Sequence, residues 1–461
     1  MKNRPSFWKA LIPLLGLIIT ALCSIFLWDA GMIVPLIVGV ILAAIVAISC
    51  GWSWMEVQQM MVNGVSRVLP AIFILLTIGV VIGSWIANGT IPTMIYYGML
   101  IIDPAWFLPV VPLVTGIISV TLGTSFTSIA TVGIAFMAIG DGLGFSPAIV
   151  AGAVITGAFF GDKLSPLSDT TNIAAAVVEI DLFTHVRHML WDTIPAFVLS
   201  IMIYWIIGYS EITSAGFDEE AMNIMTTGLK EAFVIHPLLL LLPIFVIVLI
   251  LRNVAALPAL IVISVAGAVL AVIVQGTSVG AIVQFLTDGF AIDTGVEAID
   301  SLLNRGGLTS MLGTIVILTI ATAFGGILEE TGAFEALTRK MMEKVKTTAS
   351  LISSTILSTL VVALASGEQY LSNILPGRTF IKKYKNMNID TKNLSRATES
   401  IGTVGINLIP WSVPAVFAAS IFELHPWEYL PYAFFVFLVP IINLLFGFTG
   451  WTIVRKDYKE K

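Results

Sequence analysis

Charge is what this chain has least of. Only 11% of its 461 residues are Asp, Glu, Lys or Arg, against 57% hydrophobic ones, whereas a soluble domain carries roughly a quarter charged residues. That shortage excludes a water-soluble globular protein and leaves a polytopic membrane protein. The ten-residue alternation of porin strands is also missing and the apolar runs are long, so helices rather than a barrel cross the bilayer. Cysteine is nearly absent. Cys23 and Cys50 sit in apolar segments without metal or redox spacing, so they read as small buried hydrophobes and no disulfide is expected. No cofactor motif appears. The Gly-x-Gly-Asp setting of an intramembrane aspartyl protease is only half supplied by Phe160-Gly161-Asp162, so no enzyme is expected. No small-x-small cleavage site follows the apolar run from Ala10 to Trp28, which therefore reads as an uncleaved first span.

What is there is a polar interruption at residues 161 to 172, Gly161-Asp162-Lys163-Leu164-Ser165-Pro166-Leu167-Ser168-Asp169-Thr170-Thr171-Asn172. Lipid-compatible helix flanks it on both sides, which places Asp162, Lys163 and Asp169 at bilayer depth. Ionisable residues there are functional candidates by default. Pro166 removes a helix hydrogen bond and Gly161 loosens the preceding turn. The helix should break, and broken backbone is tolerated in a bilayer only where it lines a buried or watery cavity. Such half-helix ends are where carriers place their ion sites.

Plain apolar segments run at about 10–28, 32–50, 68–88, 191–209, 237–251, 254–275, 310–328 and 431–450. Four others are interrupted: 105–140 at Gly123-Thr124-Ser125, 147–178 at the motif, 350–381 at Ser366-Gly367-Glu368, and 397–422 at Pro410. Internal similarity pairs them. Ile74-Leu75-Leu76-Thr77-Ile78 and Gly83 match Val316-Ile317-Leu318-Thr319-Ile320 and Gly325 at an offset of 242. Gly161, Leu164, Pro166 and Ser168 match Gly405, Leu408, Pro410 and Ser412 at 244. An all-α polytopic membrane protein of two repeats is expected, over 10–210 and 237–452, with a connector at 211–236 and a tail at 453–461.

If 105–140 and 350–381 are re-entrant hairpins, each half crosses the membrane five times and the repeats are inverted. Nearly all the basic residues then fall on the side of both termini, including the loop from Lys382 to Arg396, while Lys230 and Arg305 fall on the other. That bias makes the termini cytoplasmic. Each hairpin arm, at about 15 to 18 residues, reaches about 22 to 27 Å, enough to bring a polar tip towards the bilayer middle. The first tip offers Thr124 and Ser125, the second Glu368 and Asn373.

A poorly hydrated carboxylate can hold a proton near neutral pH and release it when a cation arrives. Hydroxyls, freed carbonyls and a carboxylate suit a small hard cation. Asp162 and Asp169 are the candidate cation and proton ligands, with Ser165, Ser168, Thr170, Thr124, Ser125, Glu368, Asn373 and Asn407 around them. Glu399 reads as lying near a cytoplasmic helix end, and His185, Arg187 and His188 read as interfacial anchors on a short amphipathic stretch before the span at 191.

The 161–172 motif, continued by Asp181-Leu182-Phe183-Thr184-His185 and His188-Met189-Leu190, resembles the signature of the NhaC family of bacterial Na⁺/H⁺ antiporters. Gly367-Glu368-Gln369-Tyr370 with Leu375-Pro376-Gly377-Arg378 resembles its second-half motif. The resemblance covers most of the chain. It implies the ion transporter superfamily, inverted repeats with re-entrant hairpins, elevator-type alternating access, and exchange of Na⁺ for H⁺ across the bacterial cell membrane. The family also holds exchangers of Na⁺-lactate for malate and H⁺, so a Na⁺-coupled organic acid exchanger is the alternative. The residues point to a cation; the resemblance names it Na⁺. Homodimerisation through the scaffold helices is left open.

Overall fold

The computed structural model describes residues 3–28, 30–215, 219–252, 254–343 and 345–458. Lys2, Lys344, the middle of the connector at 216–218 and the tail's end at 459–461 lie outside them. Among the described residues the chain is helical throughout, with one isolated bridge between Ile389 and Arg455. Nine helices among the described residues are long and apolar enough to cross a membrane, or up to twelve if each of three bent pairs counts as one span. The N-terminal helix, Phe7–Phe26, turns Ile12, Leu15, Ile19 and Leu22 outward. Similar apolar faces lie along 190–209 and 261–273. Water does not stabilise stripes of this size and lipid does, so the chain is a multi-pass membrane protein.

Two apolar cores hold the helices, and each joins segments far apart along the chain. One gathers buried residues from Val68 to Leu318 and from Val404 to Phe446. The other joins Ala10 to Met60 with Ala321 to Trp411 and Val178. The chain ends are thereby woven into each other's half. The loop side is held by ion pairs such as Arg67 with Glu329 and Arg4 with Glu335.

Ten helices build the interior polar layer, labelled here in chain order: α1 (Pro104–Leu122), α2 (Ser125–Gly142), α3 (Pro147–Leu164), α4 (Asp169–Val177), α5 (Leu182–Ala215), α6 (Thr348–Ser366), α7 (Gln369–Asn386), α8 (Lys392–Leu408), α9 (Val413–Phe422) and α10 (Phe434–Thr449). α1 and α6 both end on glycines in the left-handed region, Gly123 at φ 76° and Gly367 at φ 64°, and the chain starts a new helix within two residues. The αL position, which L side chains disfavour, gives each helix a sharp stop. α3 stops at Leu164 and α4 starts at Asp169, so Ser165 to Ser168 form the break around Pro166. α8 and α9 meet at 41° across a break of four residues that contains Pro410. α3 packs closely along α1: a Cβ on Gly161 would stand 2.3 Å from the Ser119 Cβ and 2.5 Å from the Val120 backbone nitrogen. Small residues allow such backbone approach in membranes.

Three features differ from the sequence expectation. The stretch around His185 does not precede a separate span but runs on as the first turns of α5, 34 residues long. The segment expected at 431–450 bends by 58° near Ala433. Short helices at Trp54–Ser66, Thr90–Ile101 and Val279–Asp288 form outside the segments expected to span. The first of these is fixed by a reciprocal cap, Ser53 with Glu56.

Candidate functional site

Asp162 sits in the last turn of α3, only 5% exposed. Both carboxylate oxygens are taken by hydroxyls from different helix breaks. Ser168, the residue before α4, donates to Oδ1 at 2.6 Å, and Ser125, the first residue of α2, donates to Oδ2 at 2.6 Å. The Ser125 backbone N–H also points at this carboxylate. The positive ends of two helices therefore converge on one buried anion. The Thr170 hydroxyl lies 3.0 Å from that of Ser168, and Ser165 donates to the Val120 carbonyl at 2.7 Å, tying the break to α1. Thr124 is half-buried, and its carbonyl accepts from Ser128.

The other candidates are scattered. Asp169 opens α4 but is exposed, facing Tyr370, so it is not part of the enclosed cluster although it is only seven residues from Asp162. Pro166 is the reason: the turn it forces places Ser168 against Asp162 and rotates the next residue outward. Glu368 caps α7, accepting from the Leu371 N–H at 3.1 Å, and its charged neighbours are Arg67 and Glu329. Asn373 donates to the Gln369 carbonyl and to Thr403. Asn407 donates to the Val404 carbonyl at 2.9 Å. The Oδ1 atoms of both asparagines are buried and have no hydrogen-bond partner among the described residues.

Two further centres lie beside Asp162. Lys163 is fully buried and its Nζ donates to Asp192 of α5 at 2.7 Å; Asn443 of α10 donates to the same oxygen, and Thr193 donates to the other at 3.2 Å. Asp192 was legible only as a lone carboxylate at the start of the apolar 191–209 run, and the lysine inside the 161–172 motif was its matching signal. Glu399 is fully buried as well, not at a helix end facing water. It accepts from Thr171 at 3.0 Å and stands 2.8 Å from His185 Nε2, while His185 Nδ1 is 2.8 Å from the Ser395 hydroxyl. His188 is 3.2 Å from the Asn393 side chain. Interfacial anchoring is thus overturned for His185 and His188, because α8 supplies polar partners that make their burial tolerable; Arg187 is exposed. Thr171 also lies 3.3 Å from the Asp162 and Lys163 carbonyls at the end of α3, and so links the Glu399 centre to the motif.

A multi-pass helical protein whose broken helices enclose a carboxylate and hydroxyls belongs to the class of secondary transporters. The profile described as Na⁺/H⁺ antiporter family matches residues 157–451. The chain is 41% identical over 438 residues to the Na⁺/H⁺ antiporter NhaC of Alkalihalophilus pseudofirmus, covering 95% of this chain and 94% of that one. It is 36% identical to the Na⁺/H⁺ antiporter NhaC of Bacillus subtilis, covering 95% and 98%. It is 33% identical to the malate-2H⁺/Na⁺-lactate antiporter of Bacillus subtilis, covering 97% and 95%. The chain belongs to the NhaC family of Na⁺/H⁺ antiporters.

Proposed function

We propose that the chain exchanges Na⁺ for H⁺ across the bacterial cell membrane by alternating access, the two ions competing for membrane-buried carboxylates around Asp162. One observation carries this reading: a buried carboxylate at a helix break, with both oxygens held by hydroxyls of Ser125 and Ser168. Na⁺ would take these oxygens as ligands and Thr170 would complete the set from the same turn. The names of the two NhaC relatives support the choice of ions. In this reading two inverted repeats, 10–210 and 237–452, joined by the connector 211–236, move as an elevator, with both termini cytoplasmic. The matched helix stops at Gly123 and Gly367 and the basic residues from Lys382 to Arg396 support that arrangement.

The organic acid alternative needs a basic partner for the substrate carboxylate, and Lys163 is engaged by Asp192. Proteoliposome uptake of radioactive sodium driven by a pH gradient separates the two readings. Flux that needs neither malate nor lactate and disappears in Asp162→Asn is expected. Flux that appears only with an organic acid, or persists unchanged in the variant, overturns the proposal.

A further inference from the structure

The buried layer around Asp162 does not balance its own charge. Asp162, Asp192 and Glu399 are each at most 5% exposed, as are the cations Lys163 and Arg396. Lys163 is consumed by Asp192. Arg396 faces Asp192, Tyr384 and the Phe446 ring, and donates to Thr452 at 3.0 Å. With three carboxylates and two permanent cations, the layer carries one excess negative charge unless another positive charge enters it. Net charge in a dry interior is strongly disfavoured. Asp162 and Glu399 feel each other's charge.

Among charged and titratable groups, Asp162 on α3 acts electrostatically on Glu399 and His188 on α5 acts on His185; behind them Lys392 and Arg396 on α8 face His188, and Asp192 on α5 and Tyr384 on α7 face Arg396. His188 faces the two cations of α8 and hydrogen-bonds Asn393, so the imidazole that meets a carboxylate is that of His185. Glu368 is turned towards Arg67 and Glu329, and Asp169 is exposed.

The hydrogen bonds around His185 accommodate two protonation states without rearrangement. Its Nε2–H donates to Glu399 in either state. The Ser395 hydroxyl can donate to Nδ1 when the imidazole is neutral. When Nδ1 is protonated, the same oxygen accepts from it and donates instead to the Lys392 carbonyl, 3.1 Å away. A hydroxyl rotation is the only change required.

We infer that the His185–Glu399 pair is a proton site coupled to the cation site at Asp162, holding the proton that balances the buried layer when Na⁺ is absent. Binding of Na⁺ at Asp162 adds one positive charge, and one proton leaves the pair for bulk water, so the charge of the layer is unchanged across the exchange. Thr171, bonded to Glu399 and lying against the carbonyls of Asp162 and Lys163, is the structural link. The inference rests on the Na⁺ site proposed at Asp162.

The test is equilibrium binding of radioactive sodium to the purified full-length protein, with the apparent Kd measured from pH 6 to pH 9. If one proton is linked to one Na⁺, the wild-type Kd rises about tenfold per unit of falling pH once the pair is protonated. His185→Gln and His185→Asn should bind Na⁺ with a Kd that changes less than about threefold over the same range, the linked proton having been removed. Either variant keeping the wild-type slope overturns the inference. Ser395→Ala, which removes the hydroxyl relay but keeps the pair, should keep the slope and move its midpoint; an unmoved midpoint counts against the switch. Sodium binding that survives Asp162→Asn would overturn the cation site itself, an outcome distinct from either result with His185.

Discussion

Removing either partner of the Lys163–Asp192 pair should destabilise the protein, and the two losses should depend on pH in opposite directions. Both side chains are fully buried and 2.7 Å apart, and breaking such a pair from one side costs about 3–5 kcal/mol. The orphaned group can escape by changing its protonation, which sets a ceiling. An orphaned ammonium loses its proton at pH 7 for about 4.6 kcal/mol, from an ordinary lysine value near 10.4, and at pH 9 for only about 1.9 kcal/mol. An orphaned carboxylate gains a proton at pH 7 for about 4.2 kcal/mol, from an ordinary value near 3.9, and at pH 5 for about 1.5 kcal/mol. Asp192→Asn should therefore be most damaging at low pH, whereas Lys163→Met should be most damaging at high pH. The second loss should be the smaller at pH 7, because Asn443 and Thr193 still donate to Asp192 and Arg396 still faces it. Lys163→Met with Asp192→Asn should recover most of either single loss, since neither member of the pair is then left as an orphaned charge. The assay is reversible unfolding in detergent at pH 5, 7 and 9. Single losses below about 1 kcal/mol, or equal losses at all three pH values, would refute the pairing argument.

Two other outcomes follow from the packing and from the outer side of the molecule. Gly161→Ala should lower stability by about 3 kcal/mol, read as a fall in Tm, because its Cβ meets the α1 backbone and no side chain can move aside; an unchanged Tm would mean that α1 and α3 do not touch there. Burial raises the pKa of Glu423, just beyond the end of α9, against the opposing charge of Arg305. The folded state then binds this proton more tightly than the unfolded one, so stability is lost as pH rises through and above the ordinary glutamate value of 4.5. Glu423→Gln should raise Tm at pH 7 relative to wild type and leave it unchanged at pH 4, a difference that thermal scans at both pH values resolve.

Legibility followed the range of the forces involved. That Asp162 sits at a helix break was readable, because apolar flanks and a proline act on the backbone within a few residues. Asp169 shows the limit. It shares the motif, yet a break of four residues decides whether a carboxylate faces the interior or the outside, and that rotation is not encoded in spacing alone. His185 and Glu399 were misplaced for another reason: each looks costly to bury by itself, and only the other's presence 214 positions away makes burial acceptable.

The sequence by itself determined a helical membrane protein, the positions where helices must stop, and a carboxylate-and-hydroxyl motif at one of those stops, since composition, proline, glycine and the chemistry of each side chain are local properties. Only the tertiary structure decided which charges meet: Lys163 with Asp192, His185 with Glu399, and Ser125 with Asp162. A buried charge is stabilised by whatever group packing brings within about 3 Å, and that distance is set by helices far apart along the chain.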